Sequence, residues 1–487
     1  MQSSDPIVKE NKMGTMPCNR LLLTVAFPII VSMLVQAMYN IVDSIFVARI
    51  GQEALNAVSL AFPLQNFIIA VAVGTGVGTN ALLSKALGAR QFDRANRIAG
   101  NSFLLAAFSG IVILLFGIFG SRWFFSMQTD VASVVDMGQD YVFIICICSV
   151  SVFMQIAVER LLQSTGKTML SMIMQLSGAI TNIVLDPILI FGYLGFPAMG
   201  VAGAAIATVT GQFLAMFVGL ALHFGFNHEI RIRLRDLRPD WKIIRQVYII
   251  GVPAILMSSL ASVMVLGLNQ ILLRFNTETS LLGMVATNVL GIYFKLQSFV
   301  FMPTFGLTNG MVPIVAYNYG AKNRDRIMHT IRLSMIYAAA IMMIGLVLVQ
   351  AIPAPLLRLF DADEEMLSVG VSALRIISIS FVFAGFNIVC SSTYQALGNS
   401  VYSLLVSIAR QLVIILPVAW LLSLSGNVAA VWWSIPIAEA VCVLLCVFFL
   451  FRIARRVSPQ ALGMIHTTES EISSDEIKEI PIEEEAQ

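Results

Sequence analysis

Residues 87–94 read Leu87-Gly88-Ala89-Arg90-Gln91-Phe92-Asp93-Arg94, and 232 positions later the chain reads Tyr319-Gly320-Ala321-Lys322-Asn323-Arg324-Asp325-Arg326. A second block recurs at the same spacing, Gln163-Ser164-Thr165-Gly166-Lys167-Thr168 against Gln395-Ala396-Leu397-Gly398-Asn399-Ser400. Phe27-Pro28 matches Val252-Pro253 at 225. Two aligned blocks at one offset mark an internal duplication of about half the chain.

Composition says what was duplicated. Of 487 residues, 58% are hydrophobic and only 12% charged, and the mean hydropathy is +0.85. A soluble chain is about 25% charged, and a soluble fold of this size has no way to hide so much apolar surface. The bulk is therefore an integral membrane protein, which excludes disorder, coiled coils and nucleic-acid binding there. Runs of about 20 apolar residues predict membrane helices. They fall at 21–48, 55–84, 98–120, 138–162, 169–193, 200–224, 243–272, 282–316, 328–351, 367–396, 401–423 and 428–452. Lipid offers no hydrogen bonds, so long spans mean helices.

Alternate connections gather the cations: Lys9, Lys12 and Arg20; Lys85, Arg90, Arg94 and Arg97; Arg160 and Lys167; the cluster Arg231 to Arg245; Lys322, Arg324, Arg326 and Arg332; and Arg452, Arg455 and Arg456. The opposite set holds Arg49, Arg122, Arg274 and Arg358. By the positive-inside rule both termini are expected in the cytoplasm. Each repeat has six spans, so both enter from the same side and the repeats are parallel, related by an axis along the membrane normal. The expected fold is an all-α polytopic protein of two six-helix bundles. Expected segments are a cytoplasmic stretch 1–20, bundles over 21–225 and 243–455, a basic linker 226–242, and a tail from 456. The tail's last 22 residues carry eight acids against Lys478, so disorder is expected there. No cleavable signal is expected before the first span.

The six cysteines, Cys18, Cys146, Cys148, Cys390, Cys442 and Cys446, read as small buried hydrophobes. His223, His228 and His329 have no metal spacing. Gly166-Lys167-Thr168 is not a phosphate loop, because Leu161 stands where the motif needs glycine. With no ATPase motif, transport energy must come from an ion gradient.

Charges at membrane depth mark function by default. In the first half these are Asp43 and Asp186, both about 8–10 Å below the same boundary at 1.5 Å rise per residue. Asn182 shares Asp186's face, and Thr208 of span 6 lies at similar depth. Pro187 cannot donate to the Ile183 carbonyl and leaves it free. Asp43, Asn182, Asp186 and Thr208 thus form a candidate oxygen-rich site for a proton or Na+. Gln36, Tyr39 and Asn40 lie near Asp43 and, with Lys295, are candidates for the substrate cleft. The second half has no equivalent acid pair; it carries Lys295, Arg375, Arg410 and Glu439, with Glu439 expected to pair with an arginine.

The twelve-span repeat, the Asp43 helix, the run Asn182-Ile183-Val184-Leu185-Asp186-Pro187 and the Gly-Ala-Arg/Lys turns resemble the MATE (multidrug and toxic compound extrusion) family over about residues 15–455. The resemblance implies a V-shaped pair of bundles in the inner (plasma) membrane. It implies antiport of cationic, amphipathic organic compounds against Na+ or H+ by alternating access, with no enzymatic activity and no cofactor beyond the coupling ion. Asp43, Asn182, Asp186 and Thr208 match the first-half ion site of bacterial members. Members that use acids in spans 7 and 10 have no counterpart here. The expected partners are small organic cations and membrane lipid, with no nucleic acid, and a monomer suffices.

Rival readings are a major-facilitator exporter, a lipid-linked oligosaccharide flippase, whose cleft would need cations such as Lys295, Arg375 and Arg410, and an intramembrane aspartyl protease built on Asp43 and Asp186. The protease reading lacks the Gly-x-Gly-Asp setting around both acids.

Overall fold

The computed structural model describes residues 11–129, 131–276, 281–360 and 362–461. The acidic stretch 466–487 lies outside the described residues. Apolar runs fold as the sequence predicts: α1 (Cys18–Ile50), α2 (Gln52–Gly88), α3 (Phe92–Ser126), α4a (Ala132–Ile147) with α4b (Ser149–Ser164), α5 (Thr168–Phe191) and α6 (Gly200–Phe226). The second set is α7 (Trp241–Leu273), α8 (Leu282–Gly320), α9 (Arg324–Ala351), α10a (Glu364–Ser378) with α10b (Phe381–Ala396), α11 (Ser400–Ser423) and α12 (Val428–Ile453). Among the described residues ten helices are long and apolar enough to cross a membrane, and counting each of the two bent pairs as one span brings the total to 12.

The duplication is visible in the backbone. Span 4 breaks at Cys148 with a bend of 47°, and span 10 breaks at Ile379–Ser380 with a bend of 49°. The turn after α2 puts Arg90 at φ 56°, and the turn after α8 puts Lys322 at φ 57°. Both turns close alike, with Gln91 N donating to Ala86 O and Asn323 N to Asn318 O, each at 2.9 Å. Gly166 and Gly398 end α4b and α10b at φ 75° and 80°, the left-handed cap that glycine adopts without a Cβ clash. The Gly-Lys-Thr segment is thus an interhelical turn.

The two halves join at the end of the molecule that carries the basic loops. There α1 and α7 exchange neighbours. Leu21, Leu22, Val25 and Ala26 of α1 share a core with Met311, Val315, Tyr394 and Cys446, whereas Ile243, Ile244 and Val247 of α7 share one with Leu83, Ala86 and Ile98. The contacts obey the repeat. A Cβ on Gly74 of α2 would come within 2.4 Å of Ile255 Cγ1 of α7, and one on Gly306 of α8 within 2.6 Å of Ile30 Cγ1 of α1. Small residues let helices approach where lipid supplies no hydrophobic drive to associate. Toward the opposite end the same helices part: Ile41 and Ile45 of α1 are 43% and 48% exposed, and Val263 and Leu266 of α7 are 49% and 65% exposed. The outline is a V closed at the basic end.

One residue of the basic set is not at a loop. Arg160 is 6% exposed inside α4b. Its side chain is ordered by a hydrogen bond, so it belongs with the intramembrane charges and not with the topology signal.

Candidate functional site

The first-half acids are placed by α1 and α5, which pack against each other. Asp43 is seven residues from the end of α1 and Asp186 five from the end of α5, about 10 and 8 Å at helical rise. The two carboxylates are within range of electrostatic interaction. Asp186 is fully buried and Asn182 is 3% exposed. One turn apart on α5, they meet through the Asn182 amide, whose Nδ2 donates to Asp186 Oδ1 at 3.2 Å and to Thr208 Oγ1 of α6 at 3.3 Å. That uses both amide hydrogens. Three buried acceptors then have no donor among the described residues: Asp43 Oδ1, Asp186 Oδ2 and Asn182 Oδ1. Buried acceptors without donors are costly, and a convergent set of oxygens is the donor set a small cation or a proton would satisfy.

A cavity of about 270 Å³ opens beside this cluster, walled by α1, α2, α4b, α5 and α6, with Asn309 of α8 reaching it from the second half. Asn182, Thr208, Gln36 and Tyr39 line it. Asn40 is exposed on α1, and its carbonyl accepts from Ser44 Oγ at 2.8 Å. Lys295 is placed apart from all of these. It is exposed on α8, with its ammonium 5.7 Å from the Phe360 ring centroid.

The cavity's other wall carries a group that the sequence reading passed over. Glu159 and Arg160, 8% and 6% exposed, line it together. Gln163 bridges them: Arg160 Nη1 donates to Gln163 Oε1 at 2.8 Å, and Gln163 Nε2 donates to Glu159 Oε1 at 2.7 Å. Gly76 makes room, since a Cβ there would come within 2.8 Å of Arg160 Cγ. The signal was present, because 159 and 160 fall inside the span predicted over 138–162. Charge alone groups Arg160 with the loops, whereas the structure places it inside α4b.

In the second half Arg410 Nη1 meets Glu439 Oε1 at 2.9 Å, the pairing expected for Glu439. Asn387 Nδ2 donates to Glu439 Oε2 at 2.6 Å. Arg410 stands in a π-helical stretch, Ala409–Ile414, an extra residue in the turn of a kind often found at special sites. Arg375 is exposed. None of the three second-half cations lines the cavity.

The MatE family model matches residues 28–188 and 253–421, one segment in each repeat. This chain belongs to the MATE family. It is therefore a membrane transporter and not an enzyme. Among curated relatives, it is 26% identical over 441 residues to the multidrug export protein MepA of Staphylococcus haemolyticus, spanning 90% of this chain and 95% of that one. It is 24% identical over 450 residues to MepA of Staphylococcus aureus, spanning 92% and 97%. Among solved structures, it superposes with a TM-score of 0.85 on an outward-facing multidrug resistance MATE transporter of the MOP superfamily, at 24% identity, covering 93% and 99% of the two chains. A MOP superfamily transporter from Pyrococcus furiosus gives 0.84 at 24% identity, covering 93% and 99%. At these identities the structural matches speak for the MATE fold and its V shape. The major-facilitator and protease readings fall with the family assignment.

Proposed function

We propose that this MATE chain is a secondary antiporter that exports cationic, amphipathic organic compounds against Na+ or H+. It would lie in the plasma (inner) membrane with both termini in the cytoplasm. The observation that carries this reading is the cluster of Asp43, Asn182, Asp186 and Thr208, in which three buried acceptor oxygens lack donors among the described residues beside a cavity. The relatives' designation as multidrug export proteins supports the substrate class.

Coupling follows from competition for these oxygens. A cation or proton entering from the outer side neutralises the Asp43–Asp186 pair and lets α1 and α5 close on it. An organic cation drawn to the same negative charge binds best when the pair is ionised. Rocking the two bundles then exchanges one for the other across the membrane. A single chain contains the whole site, so a monomer suffices. The domain boundaries are those of the repeat, with bundles over 21–225 and 243–455 and the basic linker between them. The flippase reading has less support, because Arg410 is engaged with Glu439 and none of the second-half cations lines the cavity.

The test is ethidium efflux from proteoliposomes under separately imposed Na+ and proton gradients, comparing wild type with Asp186→Asn. Efflux driven by one gradient and lost in the variant names the ion. Absence of efflux under both gradients overturns the reading, and lipid-linked sugar translocation becomes the next assay.

A further inference from the structure

One hollow in the second half is not lined by the intramembrane charges. It is a groove of about 820 Å³ formed by α9, the end of α10b, and α12 at the basic end. Its floor is apolar, with Met328 and Ile336 of α9 left 52% and 54% exposed and Leu450 of α12 opposite them. Its rim is cationic: Arg324, His329 and Arg332 belong to the first turns of α9.

The order along α9 carries the argument. Arg324, Met328, Arg332 and Ile336 are four residues apart, so they stack on one helix face. Read from the basic end inward, arginine and apolar residues alternate over about 18 Å at 1.5 Å per residue, and beyond Arg332 the groove is lined by Leu333, Met335 and Ile336. His329 and Arg332 are exposed and make no ion pair or hydrogen bond among the described residues. The nearby acid, Asp325, one turn before His329, lines a neighbouring hollow together with His329, Pro17 and Arg326 and is not among the residues lining the groove. The exposed Arg332 guanidinium and the His329 imidazole, both able to donate to an anion, border an apolar trough near the basic end of α9.

We propose that this groove binds one anionic phospholipid, with its phosphate on Arg332 and His329 and an acyl chain running inward along Met335 and Ile336. Basic pockets between membrane helices on the cytoplasmic side are suited to anionic headgroups. The apolar trough selects a lipid over free phosphate, and the unpaired charge selects an anionic headgroup over a zwitterionic one. Because the groove lies between α9, α10b and α12, a lipid held there braces the second bundle away from the transport cavity. The assignment does not depend on which solute is carried.

The test is native mass spectrometry of the purified full chain with dioleoylphosphatidylglycerol and dioleoylphosphatidylcholine in turn, together with thermal unfolding in each lipid. Wild type is expected to retain one phosphatidylglycerol with about fivefold or greater preference, the effect of a single cation near an anionic headgroup, and to unfold at higher temperature with it. H329Q/R332Q should lose the preference while still folding and binding both lipids weakly. Lys242→Gln with Arg245→Gln, basic changes outside the groove, should leave it intact. Equal retention of the two lipids by wild type would overturn the proposal, as would an unchanged preference in H329Q/R332Q. Equal stabilisation by inorganic phosphate alone would overturn it by removing the lipid. A preference that appears only after residues 462–487 are deleted would assign the groove to the acidic tail instead.

Discussion

Gly88 and Gly320 occupy the same place in the two repeats, and each lays its α-carbon against the backbone of the other repeat's helix. A Cβ on Gly88 would come within 1.9 Å of Tyr317 O, and one on Gly320 within 2.0 Å of Lys85 O. Backbone cannot yield as a flexible side chain can. This reciprocal contact clamps α2 to α8 at the basic end and keeps the V shut there.

Gly320→Val should therefore drive the halves apart at the basic end. We expect a cysteine placed at Ala26, buried in that interface, to react with a membrane-impermeant maleimide from the basic side at least tenfold faster in the valine background, with ethidium efflux reduced. Unchanged labelling would mean that the contact does not hold the closed state.

The ion site makes a sharper prediction. Asp43→Asn and Asp186→Asn should each abolish gradient-driven efflux while leaving membrane insertion and unfolding temperature close to wild type. The basis is that Asp43 Oδ1 and Asp186 Oδ2 have no donor among the described residues, so an amide nitrogen in either place breaks no contact. Asn182→Ala should instead retain efflux with weaker ion dependence, because it frees Asp186 Oδ1 and Thr208 from their shared partner. Wild-type rates in both aspartate variants would dissolve the idea of a shared site.

The Arg410–Glu439 pair should behave oppositely. It lies in the second bundle away from the cavity, and Asn387 completes its hydrogen bonding. Removing one partner strands the other, at a cost of about 3–5 kcal/mol. Arg410→Ala is expected to lower expression and unfolding temperature markedly, with the surviving protein transporting at a normal rate per molecule. Arg410→Met with Glu439→Met should recover much of the lost stability, since a well-packed apolar pair often matches a buried ion pair. A stable Arg410→Ala protein with lost transport would move the pair into the transport machinery.

Much of this architecture is legible in the sequence for identifiable reasons. Twelve spans follow from apolar run length, and the duplication from Gly-Ala-Arg90 and Gly-Ala-Lys322, whose third residues both take the left-handed conformation. The Asn182–Asp186 contact is legible because four residues make one helical turn. Thr208 comes from a different helix and rests on depth alone, yet its hydroxyl takes the second Asn182 hydrogen. What the sequence hides is lateral position. Lys295 has the depth of a cleft residue but lies on the Phe360 side of α8, and depth carries no information about which face of the bundle a side chain meets. Arg160 was lost differently, because a cation one turn from a loop reads as a topology signal unless its helix is known to be packed on all sides.

That misread arginine yields the last prediction. Gln163 is 1% exposed and is the connection between Glu159 and Arg160, accepting from one and donating to the other. Its amide carries a dipole between two opposite charges that make no direct ion pair among the described residues. Gln163→Leu keeps the volume but removes both hydrogen bonds, leaving a buried cation and a buried anion to find each other or stay unpaired. We expect destabilisation of about 2–5 kcal/mol, the range set by two lost charge-assisted bonds and partial re-pairing, read as a fall in unfolding temperature. Gln163→Glu should be worse, because it puts a second carboxylate beside Glu159. If Gln163→Leu unfolds like wild type but exports ethidium slowly, the Glu159–Gln163–Arg160 chain serves the cavity it lines and not the packing of α4b.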